Sequence, residues 1–119
     1  MKILRFETGA RLSRAVVHHE TVYLAGIVSE EPKGKNTTEQ TREILAQIDS
    51  LLAQCGSDKG NLLSANIWLT DMSNFGEMNA VWQAWLPPGT APARATVQAA
   101  LASADCRVEI MVTAAKVAK

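Results

Sequence analysis

An arginine and a glutamate in the last third of the sequence are its strongest candidates for chemistry. Arg94 follows Pro92, which fixes its own backbone and favours a turn, and it precedes a predicted strand over Ala95–Leu101. An arginine in this position needs an anion, because desolvating an unpaired guanidinium costs several kcal/mol. Glu109 lies in the next predicted strand. We expect Arg94 to bind the carboxylate of a ligand and Glu109 to handle water and protons; a structural ion pair between them across subunits is the alternative.

Six strands are predicted to position these side chains. The third strand, Thr21–Val28, follows the polar pair His19-Glu20, and so short a connection is typical of a hairpin. Gly26 inside this strand indicates a bulge or a close backbone approach. The other strands are predicted at Lys2–Phe6, Ala15–His18, Leu62–Leu69, Ala95–Leu101 and Arg107–Lys116.

The first of two helices has the clearest pattern in the chain. Apolar residues between Thr37 and Gly56 recur at the spacing of one helical face. Thr37 and Gln40 resemble a capping box at its start. Gly56 suits the left-handed position that commonly ends a helix.

A second helix is predicted from about Met72 to Trp85, capped by Asp71 or Ser73. The resulting order, β-β-β-α-β-α-β-β, predicts an α+β sandwich in which two helices pack on one face of a mixed sheet. A length of 119 residues suits one domain, which we expect to span residues 1–119.

The two faces of the last predicted strand differ in character. One face is apolar and is expected to lie against the helices, whereas the other is half apolar, which indicates packing against another subunit. The apolar set is Val108, Ile110, Val112 and Ala114, and the mixed set is Arg107, Glu109, Met111 and Thr113.

The composition argues against several classes of function. Twelve basic and twelve acidic residues give a net charge of zero, whereas nucleic-acid binding needs a basic face. Neutral charge together with 47% hydrophobic residues favours an oligomer. The first residues lack a signal-peptide core, and no apolar run approaches the roughly 20 residues of a membrane span. We therefore expect a cytoplasmic protein that binds neither nucleic acid nor membrane.

No metal or cofactor is expected. Adjacent strand residues point to opposite faces, so His18 and His19 could not easily share an ion. Cys55 and Cys106 have neither C-x-x-C nor metal-ligand spacing, and a reducing compartment is the simpler interpretation. The three tryptophans are more typical of core or interface positions than of a base-stacking platform.

Short motifs along essentially the whole chain resemble those of one protein family. Ala91-Pro92-Ala93-Arg94 with Thr96-Val97, and Arg107-Val108-Glu109-Ile110, are similar to the signature of the YjgF/YER057c/UK114 (Rid) proteins. Val22–Gly26 resembles their second hairpin strand, and Met78–Trp82 resembles their second-helix motif. The resemblance implies a chorismate-mutase-like fold and a homotrimer whose sheets form a central barrel, with three clefts between subunits.

The resemblance also implies an activity. The best-understood members are enamine/imine deaminases, which hydrolyse 2-aminoacrylate and related 2-imino acids to 2-keto acids and ammonia without metal or organic cofactor. Arg94 matches the carboxylate-binding arginine, Glu109 the glutamate near the attacked carbon, and Asn79 an asparagine of the cleft.

Three further cleft positions depart from the family pattern. Leu12 stands where a tyrosine is expected, Ala25 where a serine is common, and Thr96 where cysteine is frequent. Two functions therefore follow: an imine deaminase of amino-acid metabolism, or a non-catalytic trimer that binds small carboxylates or regulates a partner enzyme. Some members have been described as ribonucleases or translation inhibitors, which the zero net charge disfavours here.

Overall fold

The fold contains the predicted elements in the predicted order. The computed structural model describes residues 2–117, so the ends of the predicted domain, at Met1, Ala118 and Lys119, lie outside the described residues. The elements are β1 Ile3–Thr8, β2 Ser13–His18, β3 Thr21–Leu24, α1 Thr37–Gln54, β4 Leu62–Leu69, α2 Phe75–Trp85, β5 Ala93–Gln98 and β6 Val108–Ala115. Short 3₁₀ turns at Lys59–Asn61 and Met72–Asn74 precede β4 and α2.

The strands form one mixed sheet in the order β1-β2-β3-β6-β4-β5. Neighbouring strands are antiparallel except β4 and β5, which run parallel and are connected through α2. Both helices contribute their apolar sides to the core, where they meet the inward residues of β2, β3, β4 and β6. The predicted α+β sandwich, with two helices on a mixed sheet, is confirmed.

Helix α1 is capped one residue earlier than predicted. The Asn36 side chain accepts the Glu39 N–H at 2.8 Å, and the Glu39 carboxylate accepts the Asn36 N–H at 2.9 Å. The predicted capping box of Thr37 and Gln40 is wrong, because the buried Gln40 amide donates instead to three backbone carbonyls of neighbouring loops. The helix ends at Gln54, and Gly56, which follows the C-cap residue, has a φ of +75° that confirms the predicted left-handed position.

Strand β3 is shorter than predicted. The chain leaves the sheet after it and rejoins β6 at Ile27, which exchanges backbone hydrogen bonds of 2.8 and 3.0 Å with Ile110. Between this pair and the last regular pair, Tyr23 with Thr113, the segment after β3 has one more residue than β6. This extra residue is the bulge that Gly26 predicted.

Strand β5 is an exposed edge strand, not the largely apolar strand expected over Ala95–Leu101. Arg94 therefore lies inside a strand and not at its mouth. Strand β6 pairs with β3 and β4, so β4 separates it from β5. Glu109 consequently does not lie beside Arg94, because β5 and β6 follow one another in the chain but are not neighbours in the sheet.

The sheet face opposite the helices, called the open face below, is half apolar. The predicted alternation along β6 is confirmed, since its apolar set is buried against the helices and Met111 is exposed. Strand register places on the open face Val16, Tyr23, Asn66, Trp68, Val97, Glu109, Met111 and Thr113. Exposed apolar side chains gathered on one face are typical of a surface that packs against another protein.

Helix α2 begins three residues later than predicted. The segment from Met72 forms a 3₁₀ turn first, and the Asp71 carboxylate caps that turn by accepting the Ser73 N–H at 2.9 Å. Met78 and Trp82 are the buried residues of the α-helix that follows. Among the helices of residues 2–117, none combines the length and hydrophobicity that a membrane crossing requires.

Candidate functional site

Arg94 lies on the helix-covered side of the sheet, at its β5 edge. In the parallel pairing of β4 with β5, Arg94 aligns with Ala65, a buried core residue. Side chains of aligned residues leave the sheet on the same face, so the Arg94 side chain points toward the layer of α2. Gln98, on the same face of β5, accepts the Met72 N–H at 2.9 Å and so connects this edge to the 3₁₀ turn that precedes α2.

The guanidinium of Arg94 lies against aromatic rings and not against a carboxylate. Its Cζ atom is 5.8 Å from the centroid of the Phe75 ring and 5.8 Å from that of the Trp82 ring. Within residues 2–117 it takes part in no ion pair. The residue as a whole is exposed, but its partial burial against α2 lowers the pKa of Arg94 below its usual value. The group remains a cation at any physiological pH.

A cleft of about 530 Å³ opens beside this guanidinium. Asn79 and Trp82 of α2 form one wall, and the Pro87–Gly89 turn with Ala91 forms another. Apart from Arg94, none of the lining residues within positions 2–117 carries a charge. The cleft therefore offers one cationic group, the two side-chain amides of Asn79 and Gln83, and otherwise mostly apolar walls to a ligand.

Thr96 follows Arg94 two residues later, on the same face of β5. Its hydroxyl oxygen is buried and has no hydrogen-bond partner within the part of the chain that the structure describes. The structure thus groups three predicted site residues, Arg94, Asn79 and Thr96, on the side of α2 and β5.

Glu109 lies on the open face, opposite to the face that carries Arg94. It aligns with Trp68 of β4, and its neighbours along β6 are buried against the helices. Its carboxylate rests on the backbone of Gly26, where an added Cβ would overlap with the Oε2 atom of Glu109. The close approach predicted at Gly26 is therefore made by a side chain.

Ala25 belongs to the Glu109 side of the molecule, and Leu12 lies in a hairpin turn. Ala25 is the neighbour of Gly26, and its N–H donates to the Arg14 carbonyl at 3.0 Å. Leu12 is 59% exposed in the turn between β1 and β2. Within one chain five of the six predicted site residues therefore form two groups, an Arg94 group with Asn79 and Thr96 and a Glu109 group with Ala25, whereas Leu12 lies in the turn between β1 and β2.

The two groups are too far apart to act on one small molecule in the same chain. Strand β4 separates β5 from β6, which places Arg94 and Glu109 about 10 Å apart across the sheet. Their aligned partners on β4, Ala65 and Trp68, add about 10 Å along it. The side chains also leave opposite faces.

The two histidines contact each other, and the two cysteines are buried. His19 has a φ of +56° in the hairpin turn, and its ring contacts that of His18 with 4.1 Å between centroids. The prediction that these two residues point to opposite faces is therefore wrong. Cys55 and Cys106 are buried and unpaired, and burial raises the pKa of the Cys55 thiol. No group of three or more His, Cys, Asp or Glu residues that could hold a metal ion occurs within residues 2–117.

Phe75 and Trp82 are not among the predicted site residues. The sequence does contain a signal for them, because they lie four residues before and three residues after Asn79. Residues at these spacings share one face of a helix. Extending the predicted Asn79 to its helical stripe would have identified both rings.

The family of the chain follows from comparison with known proteins. The family model described as Endoribonuclease L-PSP matches residues 2–116. A crystal structure of a YjgF-family member from Neisseria meningitidis matches with a TM-score of 0.96 at 48% identity, covering 100% of this chain and 98% of that one. The chain belongs to the YjgF (Rid) family. The predicted membership is confirmed.

Relatives within the YjgF family differ in how specific their names are. A protein of Haemophilus influenzae named only as a RutC family protein is 43% identical over 114 residues, which cover 96% of this chain and 98% of the relative. The mouse 2-iminobutanoate/2-iminopropanoate deaminase is 30% identical over 103 residues, which cover 82% of this chain and 76% of the mouse protein. Of these two relatives, the more distant one is the one whose name states an activity.

Proposed function

We propose that this YjgF-family protein hydrolyses small 2-imino acids of the 2-aminoacrylate type to 2-keto acids and ammonia. The observation that carries the proposal is the Arg94 guanidinium, which lies at a cleft with no carboxylate partner in residues 2–117. A cation held in this way has its N–H donors available for an anionic ligand. The activity named for the mouse relative agrees with this chemistry.

Arg94 would bind the carboxylate of the imino acid. The guanidinium presents two parallel N–H groups that match the two oxygens of a carboxylate, and such charge-assisted pairs fix orientation as well as affinity. Asn79 lines the same cleft and offers an amide to the imine nitrogen or to water. Holding the electrophilic carbon at a defined distance from these groups supplies the positional part of catalysis.

Glu109 would move the protons of the hydrolysis. The oxygen of a water molecule attacks the imine carbon while the carboxylate of Glu109 accepts a proton from that water. With the imine protonated at the start, Glu109 returns this proton to the carbinolamine nitrogen. It then accepts the proton of the carbinolamine hydroxyl as the C=O bond forms, the C–N bond breaks and ammonia leaves. Positioned proton transfer of this kind typically contributes about 10²- to 10⁴-fold to a rate.

Bringing Glu109 to the cleft of Arg94 would require a second copy of the chain. Within one chain the two side chains leave opposite faces of the sheet, but the open face that carries Glu109 also carries exposed Tyr23, Val97 and Met111. Burying these side chains between copies would remove apolar surface from water and bring Glu109 against a neighbouring subunit. We therefore include in the proposal a homotrimer with clefts between subunits.

The activity is tested by generating an imino acid in solution. An enzyme that releases 2-aminoacrylate or 2-iminobutanoate is mixed with semicarbazide, which traps the imine, and the keto acid is followed with and without the protein. We expect the protein to divert the imine to keto acid faster than water does. Keto-acid formation at the background rate with every small imino acid tested would refute the proposal.

The shared site is tested by mixing two inactive variants. Arg94→Gln and Glu109→Gln are each expected to lose turnover, and unfolding and refolding them together makes hybrid oligomers. With random mixing, roughly one quarter of the sites would then combine an intact arginine with an intact glutamate from different chains. Recovery of about that share of wild-type activity supports the shared site, whereas no recovery would refute it.

A second candidate function is carboxylate binding without turnover. The observation that favours it is that Arg94 and Asn79 already share a cleft in one chain, whereas Glu109 lies elsewhere. Under this hypothesis 2-keto acids raise the melting temperature through Arg94, and Glu109→Gln changes neither this protection nor imine hydrolysis. Cleavage of RNA by the protein is measured in parallel, because the family description names an endoribonuclease.

A further inference from the structure

Two aromatic side chains on one face of α2, Phe75 and Trp82, lie beside the guanidinium of Arg94. Phe75 and Trp82 lie seven residues apart, which is two helical turns, and Asn79 lies between them on the same face. The Cζ atom of Arg94 is 5.8 Å from each ring centroid. Distances of this size are within the range in which a ring attracts a guanidinium.

Aromatic rings and carboxylates hold an arginine through different parts of the group. A ring attracts the cation to its electron-rich face. A carboxylate instead occupies the N–H donors that lie in the guanidinium plane. A protein carboxylate beside Arg94 would therefore compete with a substrate carboxylate for the same donors, whereas Phe75 and Trp82 do not.

We propose that Phe75 and Trp82 are positioning residues, which hold the guanidinium of Arg94 beside the cleft and leave its N–H donors free for the carboxylate of the substrate. This inference rests on the proposed function, because that carboxylate is taken to belong to a 2-imino or 2-keto acid. The absence of a compensating anion among residues 2–117 agrees with the lowered pKa of Arg94, whose cause is burial alone.

Phe75 is the better residue for a test, because it is 37% exposed and its loss leaves the core intact. Phe75→Leu keeps an apolar, helix-compatible side chain and removes the ring. We expect KM for the imino acid to rise about two- to fivefold with kcat nearly unchanged, as follows from losing one partly exposed cation–π contact. Phe75→Tyr keeps the ring and should keep the wild-type KM.

Two further variants separate positioning from general damage. Met72→Ala is the matched control, since Met72 is also 37% exposed, precedes α2 and does not line the cleft. It should leave KM unchanged. Trp82→Phe retains a ring at the buried position and should raise KM less than Phe75→Leu does.

Calorimetry supplies a readout that a merely structural role would not move. The dissociation constants of 2-oxobutanoate and of its neutral amide are measured for the wild type and for Phe75→Leu. We expect the variant to weaken binding of the acid about two- to fivefold and to leave binding of the amide unchanged. The difference arises because only the acid uses the guanidinium fork.

The outcomes distinguish this inference from the proposed function. The inference is wrong if Phe75→Leu has the wild-type KM and the wild-type affinity for 2-oxobutanoate. It is also wrong if Phe75→Tyr raises KM as much as Phe75→Leu does, or if Phe75→Leu weakens binding of the acid and of the amide equally. Binding of 2-oxobutanoate that depends on Phe75 without any imine hydrolysis would refute the hydrolase and retain the positioning role. Imine hydrolysis that does not depend on Phe75 would refute the positioning role and retain the hydrolase. A wild-type protein that neither binds 2-oxobutanoate nor hydrolyses imines would refute both.

Discussion

Replacing Gly26 by alanine should displace the Glu109 carboxylate while leaving the fold in place. A Cβ at Gly26 would overlap with Oε2 of Glu109 and lie 3.0 Å from its Cδ atom. The overlapping atoms are the far end of a flexible side chain, so the side chain and not the backbone is expected to give way. Gly26 is not among the glycines with positive φ, so alanine meets no backbone strain there.

The size of the effect follows from this geometry. The carboxylate must move by on the order of 1 Å to reach an ordinary contact distance from the new methyl group. A misplacement of that size is expected to lower the rate of hydrolysis about 10²-fold. This factor lies at the lower end of the about 10²- to 10⁴-fold that positioned proton transfer contributes. The free energy of unfolding should change by less than about 1 kcal/mol, because no buried contact is lost.

The assay compares kcat/KM for imine hydrolysis with urea unfolding of the same samples. Gly56→Ala is the matched control, because its φ of +75° makes alanine cost about 1–2 kcal/mol of stability at a position far along the chain from Glu109. It should lose stability and keep kcat/KM. In a Glu109→Gln background, Gly26→Ala should have little further effect on kcat/KM, since the group it displaces is already inactive.

Two results would refute this reasoning. A Gly26→Ala protein with wild-type kcat/KM would show that the position of Glu109 does not matter for turnover. A loss of several kcal/mol in stability would show that the carboxylate cannot move aside.

Three further predictions concern binding, pH and capping. Arg94→Gln should lower kcat/KM for the imino acid about 10- to 100-fold or more in steady-state kinetics, since the loss of a charge-assisted pair alone accounts for that factor, and an unchanged kcat/KM would contradict carboxylate binding. Hydrogen bonds from Lys35, Ser29 and the Glu30 N–H lower the pKa of Glu43 from 4.5 to about 2. Because the folded-state pKa is lowered, the stabilisation exists above the unfolded-state pKa and is lost as pH falls toward 2. Because 25% of the Glu43 side chain is exposed to solvent, this stabilisation amounts to about 1–2 kcal/mol. The free energy of unfolding in urea should therefore be lower for Glu43→Gln than for the wild type at pH 7, and the two values should converge at low pH. A difference that stays constant with pH would contradict this. Asn36→Ala should cost about 1 kcal/mol in urea unfolding by removing the α1 cap, and an unchanged midpoint would show that the cap contributes nothing.

The elements of this fold could largely be predicted because they depend on local periodicity. The apolar stripe of α1 and the alternation along β6 each follow from which side chains share a face, and both are confirmed. The residue that caps the start of α1 was harder to predict from the sequence. Asn36 and Thr37 are both suitable caps, and the choice depends on Gln40, whose amide binds carbonyls of the preceding loop and that of Asp105, which is 65 residues away in the chain.

The residue types of the candidate site could be identified from the sequence, but their arrangement could not. Arg94 and Glu109 lie in successive strands of the chain, which favoured the interpretation that they are neighbours. The insertion of β4 between β5 and β6 separates them, and strand order is a property of long-range pairing that no local pattern encodes. The sequence could place Phe75 and Trp82 on the helical face of Asn79, but their contact with Arg94 depends on how α2 lies beside β5.

By itself the sequence determined which residues are helical or extended, which faces are apolar, and that a cationic and an acidic side chain stand in motifs of the YjgF family. These properties depend on neighbours within a few positions, so they can be read along the chain. Only the tertiary structure decided that Arg94 rests on Phe75 and Trp82 beside a cleft, and that Glu109 leaves the opposite face over Gly26. Those facts depend on how strands order and helices dock, which is set by burying the whole apolar surface at once.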